Sequence, residues 1–490
     1  MSKVNHRAQS NLKERETFPI LLIVLLLIAL LLRLYRLNDG MWLDEILTYV
    51  NYARLPFLKI VTSFDSENQH FLYSIMAHLS FITFGESIWA LRLPAVLFGV
   101  GSVLALYLLG AEATTKLEAL LSAALLTFSY YHIWFSQNAR GYTGLLFWTL
   151  LSSWLLLVAI RNRKTSTWIA YAIAAALGVY THLTMLFVIA GQLITFLIVW
   201  FENSKGKGNW PALRQGIFYG FTVSGLLVLI LYAPVFNQIR TVIGGSEVSV
   251  VSEWKSPLWT LSEFIKGLRI GFSVTAIAIL ALIWFGVGLV SYWWKRKEIP
   301  LIMILPSVIG AATTLAIGHH LWPRFFFFTY GFAALIVIRG AFVIADWLVK
   351  RFPVIKISPG QFATLISLGI ILVSALSLPL AYGPKQDYAG ALNFITENLM
   401  AGDEVAMVGP VAFPYQAYYQ VNWRTITSLD ELEQVQKRGR RTWFVFGFPS
   451  VVESLYPDVI ASINSDYRVI KVFPGTVSGG EIIVGLWEVP

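Results

Sequence analysis

The stretch FPILLIVLLLIALLLRLYRLNDGMWLDE, residues 18–45, joins two features that seldom stand so close together. It opens inside an apolar run, 17–35, of the length that crosses a bilayer. It closes on a pair of carboxylates, Asp44 and Glu45, in Gly40-Met41-Trp42-Leu43-Asp44-Glu45. Carboxylates at a membrane boundary are costly to place and rarely needed for folding, so where they line a cavity they mark function. The run is followed by Arg33-Leu34-Tyr35-Arg36 rather than by a small-residue cleavage site, which reads as a retained signal anchor.

Composition extends this reading to the whole chain. Over 490 residues, 56% are hydrophobic and only 13% charged, against about a quarter charged in a soluble domain. The net charge of +9 falls in short clusters between apolar runs. That is the positive-inside signature rather than a basic groove for nucleic acid. With no cysteine, disulfides and thiolate metal sites are excluded.

Eleven stretches are apolar enough to be candidate spans: 17–35, 88–111, 118–136, 142–160, 166–181, 183–201, 216–236, 272–294, 299–318, 325–345 and 361–382. Alternate connections carry basic clusters such as Arg161, Arg163 and Lys164, or Lys295, Arg296 and Lys297. These predict a cytoplasmic N-terminus and an external C-terminus. Two segments on the external side stand apart. Residues 36–87 hold two amphipathic stretches, Leu43–Ile60 and Phe71–Phe84, that suit the membrane surface. Residues 237–271 read as a cover loop. From 384 to 490 the composition changes, and alternating strands and short helices predict a small α/β domain outside the membrane. The fold class is thus a polytopic α-helical membrane protein, domain 1–383, with an extracytoplasmic tail.

On this topology the unusual polar residues gather at one face. Asp44 and Glu45 are joined by Asn68, Gln69 and His70, by Arg140 in Ser136-Gln137-Asn138-Ala139-Arg140-Gly141-Tyr142, and by Arg324 after His319-His320. Carboxylate, histidine and arginines at one interface suit sugar transfer from a polyprenyl phosphate. That reaction needs a base for the acceptor hydroxyl and cations for the departing phosphate, and arginine offers the phosphate a bidentate fork. Asp44 also suits the N-cap of the helix that follows, and interfacial arginines commonly reach for lipid headgroups. A lone pair of histidines lacks a third ligand, so no metal is indicated.

Five motifs carry a family resemblance. They are Leu43-Asp44-Glu45, Asn68-Gln69-His70-Phe71-Leu72-Tyr73, Phe84-Gly85-Glu86-Ser87 with Ala90-Leu91-Arg92-Leu93-Pro94, Ser136 to Tyr142, and Pro323-Arg324-Phe325. In order and spacing the chain resembles the GT-C superfamily of membrane glycosyltransferases. In particular it resembles the protein O-mannosyltransferase-like family 39, related to the lipid A aminoarabinose transferases. The second motif departs from the family's Asn-x-His-Pro-Leu-Tyr at Phe71.

The resemblance implies a GT-C fold and an inverting transferase. It would use a polyprenyl-phosphate sugar, with membrane lipids around it and a glycan, lipid or protein hydroxyl as acceptor, at the plasma (inner) membrane. Carried over by position, Asp44 is the base with Glu45 beside it, and Arg140, Arg324 and His70 hold the donor phosphate. Asn68, Tyr142 and Trp42 are further pocket candidates. The rival is a flippase or transporter of lipid-linked sugars, which needs internal repeats and broken mid-membrane helices. No repeat relates the halves of this sequence. A membrane scaffold, the third reading, predicts that Asp44 is dispensable.

Overall fold

The computed structural model describes residues 2–204, 210–244, 251–272, 275–354, 356–438 and 440–488. The first half of the chain runs as α1 (Ser2–Leu34), α2 (Leu43–Thr48), α3 (Phe57–Thr62), α4 (Phe71–Phe84), α5 (Ile88–Ala113), α6 (Lys116–Thr127), α7 (Tyr130–Ser136), α8 (Tyr142–Asn162), α9 (Thr165–Thr181) and α10 (Met185–Ser204). Of the eleven apolar stretches, seven correspond to helices long and apolar enough to cross a membrane. These are Ile88–Ala113, Tyr142–Asn162, Met185–Glu202, Trp210–Gly244, Glu298–Ala316, Pro323–Arg351 and Pro359–Leu376. Three more are shorter helices: Phe18–Leu34, Ile279–Lys295 and α9.

The remaining stretch, 118–136, is not one span. It breaks into α6 and α7 because Ser129 turns the chain and restarts it, its hydroxyl accepting from the His132 N–H at 3.4 Å. Thr115 and Ser87 cap α6 and α5 in the same way. The expected cover loop also differs. Its residues 245–250 lie outside the described residues, and much of the rest is helix, Phe236–Gly244 and Pro257–Phe272. Helix Thr275–Lys295 crosses Tyr330–Arg351 at Gly288 and Gly340, where a Cβ would strike the opposing backbone. Small residues allow this closest approach of two membrane helices.

The tail folds around a five-stranded sheet. Its strands are β1 (Glu404–Val408), β2 (Arg424–Ile426), β3 (Thr442–Gly447), β4 (Arg468–Phe473) and β5 (Ile482–Trp487), in the order β2-β1-β3-β5-β4. β1 is parallel to β2 and β3, while β5 runs antiparallel to β3 and β4. Alternation along β1 divides its side chains. Ala406 and Val408 pack under helices Leu429–Lys437 and Pro457–Asp466. Val405 and Met407 join a second core with Tyr388 and Ile395, and that core continues into Met41, Ile46, Tyr73 and Ala77 beside the membrane domain. The tail therefore sits directly on the segment that carries the acidic pair.

Candidate active site

Asp44 lies inside the first turn of α2, with Trp42 at the N-cap. It is therefore not the helix cap, and its carboxylate is free for other partners. The backbone around it is fixed by polar contacts: Asn68 donates to the Asp44 carbonyl at 3.2 Å, and so does Thr48 at 2.9 Å. Two guanidinium groups face the carboxylate. Arg324 Nη1 stands 3.5 Å and Arg140 Nη2 3.8 Å from Asp44 Oδ2.

These separations are well beyond the 2.7–2.9 Å of a tight charged hydrogen bond. Neither arginine is consumed by Asp44. Arg140 also donates to the Asn68 carbonyl at 3.3 Å and lies over the Tyr142 ring, and Arg324 lies over Trp322. The Nε of each is enclosed with no partner among the described residues. Buried donors without acceptors mark a place where an anionic ligand fits.

Glu45 has a different environment, and the expectation that it shares the chemistry does not match its geometry. It is fully buried. Arg92 clasps it with two bonds of 2.7 Å and also binds the carbonyls of Leu37, Asp39 and Gly40. The other contacts of the carboxylate are the N–H groups of Ala139 at 2.8 Å and Trp42 at 3.5 Å. Burial works to raise the Glu45 pKa, but Arg92, Lys385 and the hydrogen bonds outweigh it and hold the group below the ordinary value. Glu45 thus ties the Asp44 segment to the Arg140 segment.

His70 and His182 form a second pair, their rings 4.7 Å apart beside Tyr142. His70 Nδ1 lies 3.1 Å from the Thr181 carbonyl, which only accepts, so Nδ1 carries the proton. Burial, then Arg140 and His182, push the ring well below its usual pKa. A neutral His70 leaves Nε2 as a bare acceptor, which is not the phosphate donor expected of it. His182 is likewise held neutral by burial and the two arginines, at about 3. The departure at Phe71 is benign: Phe71 is the first residue of α4, where proline is also accommodated, and its ring stacks on Tyr180 at 5.2 Å.

Among the other pocket candidates, Asn68 bridges Asp44 and Arg140. Trp42 is turned inward, its indole N–H donating to Asn138 at 3.1 Å, and it offers no face to a sugar. Glu67 Oε1 and His319 Nε2 lie 2.8 Å apart, linking the first loop to the segment before Pro323. Among the described residues no three His, Cys, Asp or Glu side chains gather as a metal set.

Sequence reading passed over Arg92, His182 and Lys385-Gln386. Arg92 carried a usable signal, being a charge at the start of a long apolar helix. The role of Lys385-Gln386 depends on long-range contacts that no local pattern encodes.

Residues 69–224 match the family model described as dolichyl-phosphate-mannose-protein mannosyltransferase. A protein of Bacillus subtilis (strain 168) named "Putative mannosyltransferase YkcB" is 25% identical over 204 residues, covering 38% of this chain and 27% of that protein. The chain thus matches about a quarter of that relative's length. Among solved structures, ArnT from Cupriavidus metallidurans bound to undecaprenyl phosphate superposes with a TM-score of 0.52 at 13% identity, over 95% of this chain and 97% of that one. The Archaeoglobus fulgidus oligosaccharyltransferase AglB, in complex with an inhibitory peptide and a dolichol-phosphate, gives 0.56 at 13% identity, over 96% and 74%. The chain therefore has the GT-C fold that these two structures share.

Proposed function

We propose that the protein transfers a sugar from a polyprenyl-phosphate carrier to an acceptor hydroxyl, with inversion, at the extracytoplasmic face of the plasma membrane. The observation that carries this reading is Asp44 flanked by Arg140 and Arg324, whose enclosed Nε atoms have no acceptor among the described residues. Asp44 takes the proton as the acceptor oxygen attacks the anomeric carbon. The bond from that carbon to the phosphate oxygen breaks on the opposite face, and the electron pair leaves with the lipid phosphate, whose added charge the two arginines hold. The lipid phosphates bound by the ArnT and AglB structures support a carrier of this class. The basic clusters between apolar runs support a cytoplasmic N-terminus.

The test is transfer by purified protein in lipid nanodiscs, offered a panel of radiolabelled polyprenyl-phosphate sugars with membrane extract as acceptor. Wild type is expected to release polyprenyl phosphate, and Asp44→Asn to release at least a hundredfold less, roughly the contribution of a general base. Equal release by both would remove Asp44 from the chemistry. Intact donor that crosses the bilayer of wild-type vesicles would support a flippase instead.

A further inference from the structure

The connection between the membrane domain and the tail does more than join them. Its residues Lys385 and Gln386 are almost completely buried, which is unusual for a linker and costly for an ammonium group. Their partners are far away in sequence. The Gln386 side-chain carbonyl accepts the Leu43 N–H at 3.0 Å, one residue before Asp44. The Lys385 ammonium donates to the Gln137 carbonyl at 2.8 Å, three residues before Arg140, and lies over the Trp134 ring.

The dipeptide is itself anchored in the tail. The Thr476 and Val477 N–H groups donate to the Pro384 and Lys385 carbonyls, and the Thr476 hydroxyl accepts from the Trp134 indole at 2.8 Å. Tyr388 donates to the same Gln386 oxygen at 3.3 Å.

We propose that Lys385 and Gln386 are positioning residues, a strap by which the C-terminal domain fixes the Asp44 segment and the Arg140 segment at their working separation. The inference rests on the functional reading above and gives the tail a part in it. The strap's hydrogen bonds to the two segments go to backbone groups, the Leu43 N–H and the Gln137 carbonyl, so it acts on where Asp44 and Arg140 stand and not on the donor itself. It works beside the Glu45–Arg92 clasp, which ties the same two segments. The charge on Lys385 is finely balanced: burial brings its pKa down to about 7, Glu45 holds it up, Arg92 opposes, and Asp39 adds to the support. Two loosely held groups 3.5–3.8 Å from a carboxylate keep that geometry only if both backbones are fixed.

The test compares Gln386→Ala and Gln386→Glu with wild type, full-length, in nanodiscs. Gln386→Ala is expected to lower kcat roughly tenfold with the donor KM unchanged, since misplacement of about 1 Å costs up to a hundredfold. Gln386→Glu, which keeps the acceptor for Leu43, is expected to recover most of it. Wild-type kcat in Gln386→Ala would overturn the proposal, as would a matched rise in KM that Gln386→Glu leaves uncorrected. Hydrogen exchange of residues 41–48 supplies a readout that needs no substrate. It should speed up in Gln386→Ala and return in Gln386→Glu, and unchanged exchange overturns the strap. If wild type turns over no lipid-linked sugar, the functional reading fails while the exchange result still decides the strap.

Discussion

Asp44 and Glu45 are neighbours with opposite fates, and the difference is rotational. Successive residues point about 100° apart around a helix. One carboxylate faces two loosely held arginines, and the other enters a closed clasp with Arg92. Breaking a buried pair leaves an uncompensated charge and costs about 3–5 kcal/mol. Arg92→Leu is therefore expected to lower thermal stability strongly in detergent, while Asp44→Asn leaves the melting temperature near that of wild type. Equal melting temperatures for Arg92→Leu and wild type would refute the clasp.

The same contrast gives an acid limb. Glu45 is held below its ordinary pKa, so its stabilisation is present at neutral pH. It is lost as the pH falls from the ordinary glutamate range through the depressed value. Glu45→Gln should flatten that part of the stability profile. An acidic pair at a membrane boundary was legible as a site because such groups are expensive there. The resemblance pointed to Asp44 as the base with Glu45 beside it, but the closed clasp around Glu45 was not legible, because its partners Arg92 and Ala139 are far away in sequence.

At the level of elements, the start of α8 is fitted against the start of α4. A Cβ on Gly141 would lie 2.6 Å from His70 Nδ1 and 2.7 Å from the Thr181 carbonyl. The glycine is needed for space, its backbone being unstrained at φ −72°. Gly141→Ala forces the His70 ring and the adjoining Arg140 to shift. Overpacking of this kind costs about 1–3 kcal/mol, and transfer should fall at least tenfold through misplacement of Arg140. Transfer at the wild-type rate would show that the contact relaxes harmlessly. Apolar periodicity marked α4, α5 and α8 correctly because long amphipathic or apolar segments repeat their signal over many residues. It ran α6 and α7 together because the break depends on one serine cap, and an isolated Ser129 among apolar residues gives no periodic signal.

Across the whole molecule, the site is closed by pieces from both ends of the chain: the first loop, the segment before Pro323, and the tail. Glu67 and His319 pin the first two of these together at 2.8 Å. The hydrogen bond to Glu67 raises the His319 pKa against the opposing effect of burial. Burial works to raise Glu67, and it is outweighed by His319, His320 and Arg324, which leave it low. A histidine with a raised folded pKa stabilises the closed pair fully below its ordinary value. That contribution disappears as the pH rises through the raised one. The two segments should therefore be locked in mildly acidic solution and loosen toward alkaline pH. The absence of native cysteine makes the test direct: spin labels at introduced Ser66→Cys and Ile317→Cys report the distance between the segments. A narrow distribution at low pH should broaden as the pH rises through the His319 transition. With Glu67→Gln added, it should be broad throughout. A distribution independent of pH in both proteins would mean that packing alone holds the segments and that the ion pair contributes nothing to closure.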